Sequence, residues 1–236
     1  MPDFSQRSKQ EELLDQEHLH RQELFRNLEE LDTINRLLGG HKASLKGLKQ
    51  LLTKPDVEYH IVDFACGGGD TLRAIADWGK AKGYHLKLSG FDLLGEAIEF
   101  AKEKSQDYEI EFKQADFKDF QAKEPIDIAC CALVCHHFYG KELEHFLKRM
   151  KELARLGVII NDLHRHPFAY YSIQQLTKFF SRSTYVKNDA PLSVLKGFKK
   201  AEWEDLLKSA GYENFQVEWI WAFRHLIVEK QQHEKI

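Results

Sequence analysis

The sequence predicts an α/β fold: a doubly wound, mostly parallel sheet that closes in an antiparallel C-terminal hairpin and carries a helical cap at its N-terminus. Three observations point to it. From Tyr59 onward, short apolar runs alternate with amphipathic stretches, the pattern left by right-handed crossovers between parallel strands. The first run passes straight into a glycine turn, Ala65-Cys66-Gly67-Gly68-Gly69, and each of the next two ends in an acid. Residues 1–55, by contrast, carry apolar residues only at helical spacing.

Taken in order, Leu24, Phe25, Leu28, Leu31, Ile34 and Leu38 mark one helical stripe, broken by Gly39-Gly40. Leu45, Leu48, Leu51 and Leu52 resume the pattern until Lys54-Pro55 ends it. This segment is assigned as a cap over residues 1–55, either a packing helix pair or dimer contact, or a lid; residues 56–236 form the main domain. Strands are predicted at 59–65, 86–92, 110–115, 126–135 and 157–162, with helices at 70–82, 95–105 and 141–155. Pro125 precedes the fourth strand, where a missing N–H costs little. Residues 167–182 and 198–210 read as helices, and 215–220 with 223–228 as an antiparallel pair.

The chain has 236 residues, 43% hydrophobic and 30% charged, which suits one globular α/β domain with a cap. A net charge of −3 offers no electrostatic footprint for a nucleic-acid backbone and favours a small-molecule acceptor. Residues 1–30 are polar, without the apolar core of a secretory signal, and the longest wholly apolar run, Ile128 to Cys135, is too short to span a bilayer. The expectation is a soluble, cytoplasmic protein that binds no nucleic acid and inserts in no membrane, with a homodimer as a candidate state. Cys66, Cys130, Cys131 and Cys135 read as reduced, buried thiols. A metal site at Cys135-His136-His137 is disfavoured, because a strand would point neighbours to opposite faces and no second Cys/His pair has zinc-finger spacing.

Chemistry concentrates at the predicted strand ends. Glycines let the backbone approach a ligand closely, and the helix opening near Asp70 presents unpaired N–H groups. A dinucleotide fingerprint wants a further glycine at position 72, where Leu72 stands. Asp92 ends the second strand at about the separation at which such sheets place a carboxylate on ribose hydroxyls. Asp116, followed by Phe117, ends the third. Singly, each acid is equally well a turn residue or helix cap. Together, Asp63, Ala65, Gly67 and Gly69 follow an acid-x-small-x-Gly-x-Gly order that resembles the first motif of class I S-adenosylmethionine (SAM) methyltransferases, with Ala65 where that family usually has glycine. The pattern Trp203, Leu206-Leu207, Ala210-Gly211-Tyr212 before a strand is similar to the end of many such enzymes, so the resemblance spans about residues 57–230. It implies a Rossmann-like domain that binds SAM through Asp63, Ala65, Cys66, Gly67, Gly69, Asp92 and Leu93, with Asp92 on the ribose and Asp116 and Phe117 flanking the adenine. Arg36 and His41, beside the glycine pair of the cap, are candidates for the cofactor's carboxylate; for Arg36 a solvated helix face is at least as good a reading.

The acceptor should lie beyond strands four and five, where Cys135-His136-His137-Phe138 and Asp162-Leu163-His164-Arg165-His166-Pro167 place four of the chain's 12 histidines. A phenol titrates near ~10 and an imidazole near ~6.5, so a neutral histidine in reach can take the proton as charge develops on oxygen. The candidate bases are His137 or His136, then His164 or His166. Phe168 to Phe198, rich in aromatics, is either packing or a wall for a planar acceptor. These loops, with Leu38-Gly39-Gly40-His41 and Asn188-Asp189-Ala190-Pro191-Leu192-Ser193, also resemble bacterial methyltransferases acting on phenolic or quinol products of type III polyketide pathways. The resemblance implies O-methylation of an aromatic small molecule in polyketide tailoring, with C-methylation of a quinol ring, a non-catalytic SAM-binding module and an NAD-dependent dehydrogenase as alternatives. Strand four ends in cysteine and histidines, which leaves a Mg²⁺ of the catechol-methyltransferase type short of oxygen ligands, so no metal is expected. The Asn/Asp-Pro-Pro-aromatic motif of nucleic-acid amino-methyltransferases is missing from the sequence.

Overall fold

Among the residues that the computed structural model describes, 2–15 and 21–231, seven strands join in one sheet of order β3-β2-β1-β4-β5-β7-β6. The strands are β1 (Glu58–Phe64), β2 (His85–Asp92), β3 (Ile110–Gln114), β4 (Ile126–Ala132), β5 (Ala154–Leu163), β6 (Phe215–Ile220) and β7 (Arg224–Lys230). The first five pair in parallel, whereas β7 runs antiparallel between β5 and β6. The order reverses between β1 and β4, and the crevice beyond their carboxyl ends is where such sheets bind ligands.

Period-2 burial builds the core. Val62, Ala129, Cys131, Val158, Ile160 and Ile227 face α5 (Gly140–Leu153) and α8 (Lys200–Ser209). Their neighbours Ile61, Ile128, Cys130, Ile159, Leu226 and Val228 face α2 (Gly40–Leu51), α3 (Asp70–Lys82) and α4 (Gly95–Lys104). Strands buried on both faces read as continuous apolar runs, which is why β4 carries cysteines and alanines without polar alternation. The four cysteines are free and buried, and burial pushes each thiol up from its ordinary range.

Of the 1–55 segment, α2 packs on the sheet through Leu48 and Leu51, while α1 (Arg21–Leu37) lies against α2, α4 and α7. A short 3₁₀ turn, Leu13–Asp15, sits on α7.

Three boundaries correct the sequence reading. β4 stops at Ala132 rather than 135, because Leu133 takes a left-handed φ of 59° and Cys135–His137 form a 3₁₀ turn. Helix α5 ends at Leu153 and runs into β5 with only the extended Ala154 at the junction, which pairs with Ile126. Between α6 (Pro167–Phe180) and α8 lies a further helix, α7 (Thr184–Lys196), with Pro191 inside it.

Candidate active site

At the end of β1, Ala65, Gly67 and Gly69 all take left-handed backbone, with φ of 54°, 50° and 72°. Glycine adopts this freely; Ala65 keeps the shape at a cost of about 1 kcal/mol. Asp92, at the end of β2, clasps the turn: Oδ2 accepts from the Gly67 N–H at 2.8 Å and Oδ1 from the Leu94 N–H at 2.9 Å. Burial raises the Asp92 carboxyl, against these N–H groups and the nearby His137, which lower it. The buried Cys66 ties the turn to β2 through its N–H to the Phe91 carbonyl at 2.9 Å, and Leu93 stands exposed beside Asp92. Asp63 is buried beneath and accepts from the Cys130 thiol; burial, then the charges of Asp70 and Asp92, hold its carboxyl well above the ordinary range. Asp70, the first residue of α3, is likewise pushed up by burial, but His41 at 2.8 Å and Asn35 at 3.0 Å outweigh this and leave it lowered. Asp70 and Asp92 thus flank one glycine turn, with the Asp63 carboxyl buried beneath it and raised by both.

Asp116 follows β3 and accepts from the Lys118 N–H at 2.9 Å, while Phe117 is buried edge-on against Phe138 and Phe146. Helix α1 roofs the turn: a Cβ on Gly67 would meet only Leu28, at 3.8 Å. His41 belongs to this crevice through Asp70. Arg36 is exposed on α1 and makes no hydrogen bond to the described residues.

Beyond β4 and β5 lies a cavity of about 260 Å³, walled mainly by apolar side chains of α1, α6 and α7 and floored by Leu133 and Leu163. His136 and His137 both face it, their rings 4.3 Å apart. His136, 2% exposed, is held from behind by Asp162: Nδ1 lies 2.7 Å from Oδ1, and the His136 backbone N–H donates to Oδ2 at 3.1 Å. Burial pushes Asp162 up, but the charge and hydrogen bond of His136 prevail and its carboxyl ends below the usual range, with His137 adding to the pull. The His137 charge therefore bears both on Asp92 in the crevice and on Asp162 behind the cavity.

His164 and His166 stand elsewhere, around Phe223: His166 stacks on it at 5.2 Å, and the His164 ring lies 4.7 Å from His225. The His166 Nδ1 caps α6 by accepting from the Phe168 N–H at 3.2 Å. The His164 imidazole is lowered by burial and by His166.

The remaining motif residues brace these walls. Arg165, 1% exposed, forks onto both carboxylate oxygens of Glu202 and donates to the Gly197 carbonyl at 2.6 Å. Asp189 accepts from the Leu13 and Leu14 N–H groups at 2.9 and 3.0 Å, and Arg7 donates to the carbonyls of His136 and Phe138 at 2.8 and 3.0 Å. Glu30 of α1 accepts from the backbone of Arg182 and Ser183 and from the Ser181 hydroxyl, fastening α1 to the α6–α7 corner. Asn161 donates to the Gly40 carbonyl at 2.9 Å and to Ser44.

Cys135 turns inward to Cys131, with the sulfurs 3.8 Å apart. Because 135–137 form a turn and not a strand, the alternation argument fails there, and Glu12, His136 and His137 bring ligand-type atoms within 4.8 Å of one another. The Lys196 ammonium lies 3.1 Å from Glu12 and so supplies a positive charge at that place. A second such trio, Asp32, His41 and Asp70, has the Arg73 guanidinium 3.5 Å from Asp32.

Sequence reasoning passed over Asp162 as the partner of His136, and Glu12, Asn27 and Arg224 as cavity residues. Register offered a signal for the first: Ala132 pairs with Asn161, so the turn after β4 must face Asp162.

Residues 61–157, from β1 into β5, match a family described as a methyltransferase domain. No curated protein matches the chain in sequence. Its fold is shared with solved structures of low identity. The plantazolicin methyltransferase BpumL in complex with SAH superposes with a TM-score of 0.66 at 16% identity, covering 90% of this chain and 94% of that one. Human N-acetylserotonin methyltransferase in complex with SAM gives 0.63 at 19%, covering 90% and 56%, and a SAM-dependent methyltransferase from Aquifex aeolicus gives 0.62 at 16%, covering 90% and 98%. Four of the matching chains are longer, and this chain spans 50–59% of their length. Among the described residues, no helix is long and apolar enough to cross a membrane.

Proposed function

We propose that this protein is a SAM-dependent methyltransferase that transfers a methyl group to a hydroxyl of an aromatic, phenolic or quinol-like small molecule, with His136 as the base. The methyltransferase match over residues 61–157 contains the glycine turn, Asp92, Asp116 and the histidine pair. The crevice suits the cofactor electrostatically. Asp70, whose carboxyl His41 and Asn35 hold low, and Asp92 would oppose a pyrophosphate and favour a sulfonium and an ammonium, which argues against the NAD reading. Asp92 spends one N–H on each oxygen, and a carboxylate oxygen has a second lone pair for a ribose hydroxyl. Bound there, SAM would supply an electrophilic methyl group on a positively charged sulfur.

The observation that carries the assignment of the base is the Asp162–His136 pair on the wall of an apolar cavity beside that crevice. A buried carboxylate on Nδ1 fixes the ring and its tautomer, leaving Nε2 to accept the acceptor's proton, and it stabilises the imidazolium that results. The apolar walls hold a planar ring and exclude water, so the hydroxyl oxygen is presented to the methyl carbon as it loses its proton. His137, between crevice and cavity, is the second candidate. The test is turnover of labelled SAM on a panel of phenols and quinols. Wild type should methylate oxygen, and His136→Gln should lose a factor of about 10² or more in kcat while binding SAH as wild type does. Undiminished turnover would reject His136, product methylated only on carbon would favour the ring-carbon reaction, and SAH binding without turnover on any acceptor would favour the binding module.

A further inference from the structure

The cavity that receives the acceptor in this reading also holds a buried cation that no carboxylate of the described residues neutralises at contact distance. Arg224, the first residue of β7 and the register partner of Leu163, is 3% exposed and lines the cavity beside Phe223. Its Nη2 donates to Asn35 Oδ1 at 2.8 Å. Its Nε and Nη1, which carry three of the five guanidinium N–H donors, have no hydrogen-bond partner among the described residues. No carboxylate of the described residues lies within 4.0 Å of it, and Asp162 and Asp70 act on it only through space. Burial lowers the guanidinium to about 10, which leaves it charged at neutral pH. Gly40 makes room for it: a Cβ there would stand 2.8 Å from Asn35 Oδ1 and 3.0 Å from Arg224 Nη2. Across the same cavity Asn27, 1% exposed, has neither amide atom hydrogen-bonded within the described residues.

A buried charge with open donors is strongly destabilising unless something pairs with it, and chains keep such a group where a ligand completes it. We propose that Arg224 is the receptor for a carboxylate on the acceptor, so that the substrate class is an aromatic or alkyl-aromatic carboxylic acid rather than a neutral phenol. This rests on the methyltransferase reading for the word substrate, but not for the anion site itself. The same guanidinium chemistry would serve the methionyl carboxylate of the cofactor, and the experiment separates the two.

The probes are 4-pentylbenzoate and 4-pentylbenzamide, equal in shape and different in charge, titrated calorimetrically with and without SAH. Wild type should bind the benzoate at least tenfold more tightly than the benzamide. In Arg224→Met that preference should fall below twofold, with benzamide and SAH affinities unchanged, and Arg224→Lys should keep an intermediate preference. Equal binding of the two probes by wild type overturns the proposal and needs no variant. A preference that survives in a folded Arg224→Met also overturns it, as does a loss of SAH affinity in that variant, which would give the guanidinium to the cofactor. Failure of wild type to bind SAH at all would instead sink the methyltransferase reading while leaving the benzoate preference interpretable.

Discussion

At the scale of single residues the site is a set of paired groups, each legible by what it leaves open. Asp92 closes two backbone N–H groups with one lone pair on each oxygen. Asp92→Asn should weaken SAH at least tenfold in calorimetry, about 1.4 kcal/mol per decade, and unchanged affinity would remove the ribose role. Asp162→Asn keeps the size of the side chain but not its charge, so turnover should fall 10²-fold or more with SAH affinity intact. Ala65 holds a glycine-like φ of 54°, so Ala65→Gly should be neutral or slightly stabilising, by less than about 1 kcal/mol in urea titration; a loss above that would contradict the strain argument. His225 fixes an acid limit. It is buried, and burial, then His164, pulls its imidazole down to about 4. Between 6.5 and about 4 the unfolded chain binds a proton that the folded chain refuses. That contribution is thus intact above pH 6.5 and declines as pH falls towards 4, by roughly 3 kcal/mol in all. Urea midpoints at pH 7 and pH 5 should differ less in His225→Phe than in wild type.

At the scale of elements, the sheet and its covering helices were readable because their patterns are distinct: short apolar runs at the centre of β1, β4, β5 and β7, and striped helices between them. Helix α7 was not readable. Pro191 interrupts it, Thr184, Asn188, Asp189 and Ser193 favour other conformations in isolation, and it is kept helical by the Ser183 cap and by packing on α6. The end of β4 was missed for a related reason: nothing local in Leu133-Val134 announces a left-handed residue, which tertiary packing imposes. The same division applies to the site. The crevice side is built from the ends of three consecutive strands, β1 to β3, each followed by a local signature of glycines or an acid, so its members stand out in the sequence. The cavity side is assembled from residues as distant as Glu12, His136 and Arg224, and only the fold brings them together. Glu30 holds three donors at the α6–α7 corner, so Glu30→Ala should destabilise by about 1–3 kcal/mol and speed amide exchange in α1 ahead of the sheet. Uniform exchange across both would mean that α1 is not a separable lid.

At the scale of the whole molecule, ligand binding and stability are one equilibrium. SAM or SAH at a hundred times its dissociation constant should add about 2.7 kcal/mol and raise the melting temperature, whereas NAD should leave it unmoved. A shift with NAD instead would overturn the electrostatic argument drawn from Asp70 and Asp92. The Leu38-Gly39-Gly40-His41 and Asp162-to-Pro167 segments, read from sequence as site motifs, divide their labour at this scale. His41 and Asp162 meet the crevice and the cavity, whereas Gly40 and Arg165 make room and brace.

Arg7 reaches the carbonyls of His136, Phe138 and Lys196. The histidine turn is thus tied to a segment 129 positions away in the sequence, so loosening the stretch around Arg7 unmoors one wall of the pocket. The seven-stranded sheet draws on neither bond, so Arg7→Ala should keep the fold while the cavity wall slackens.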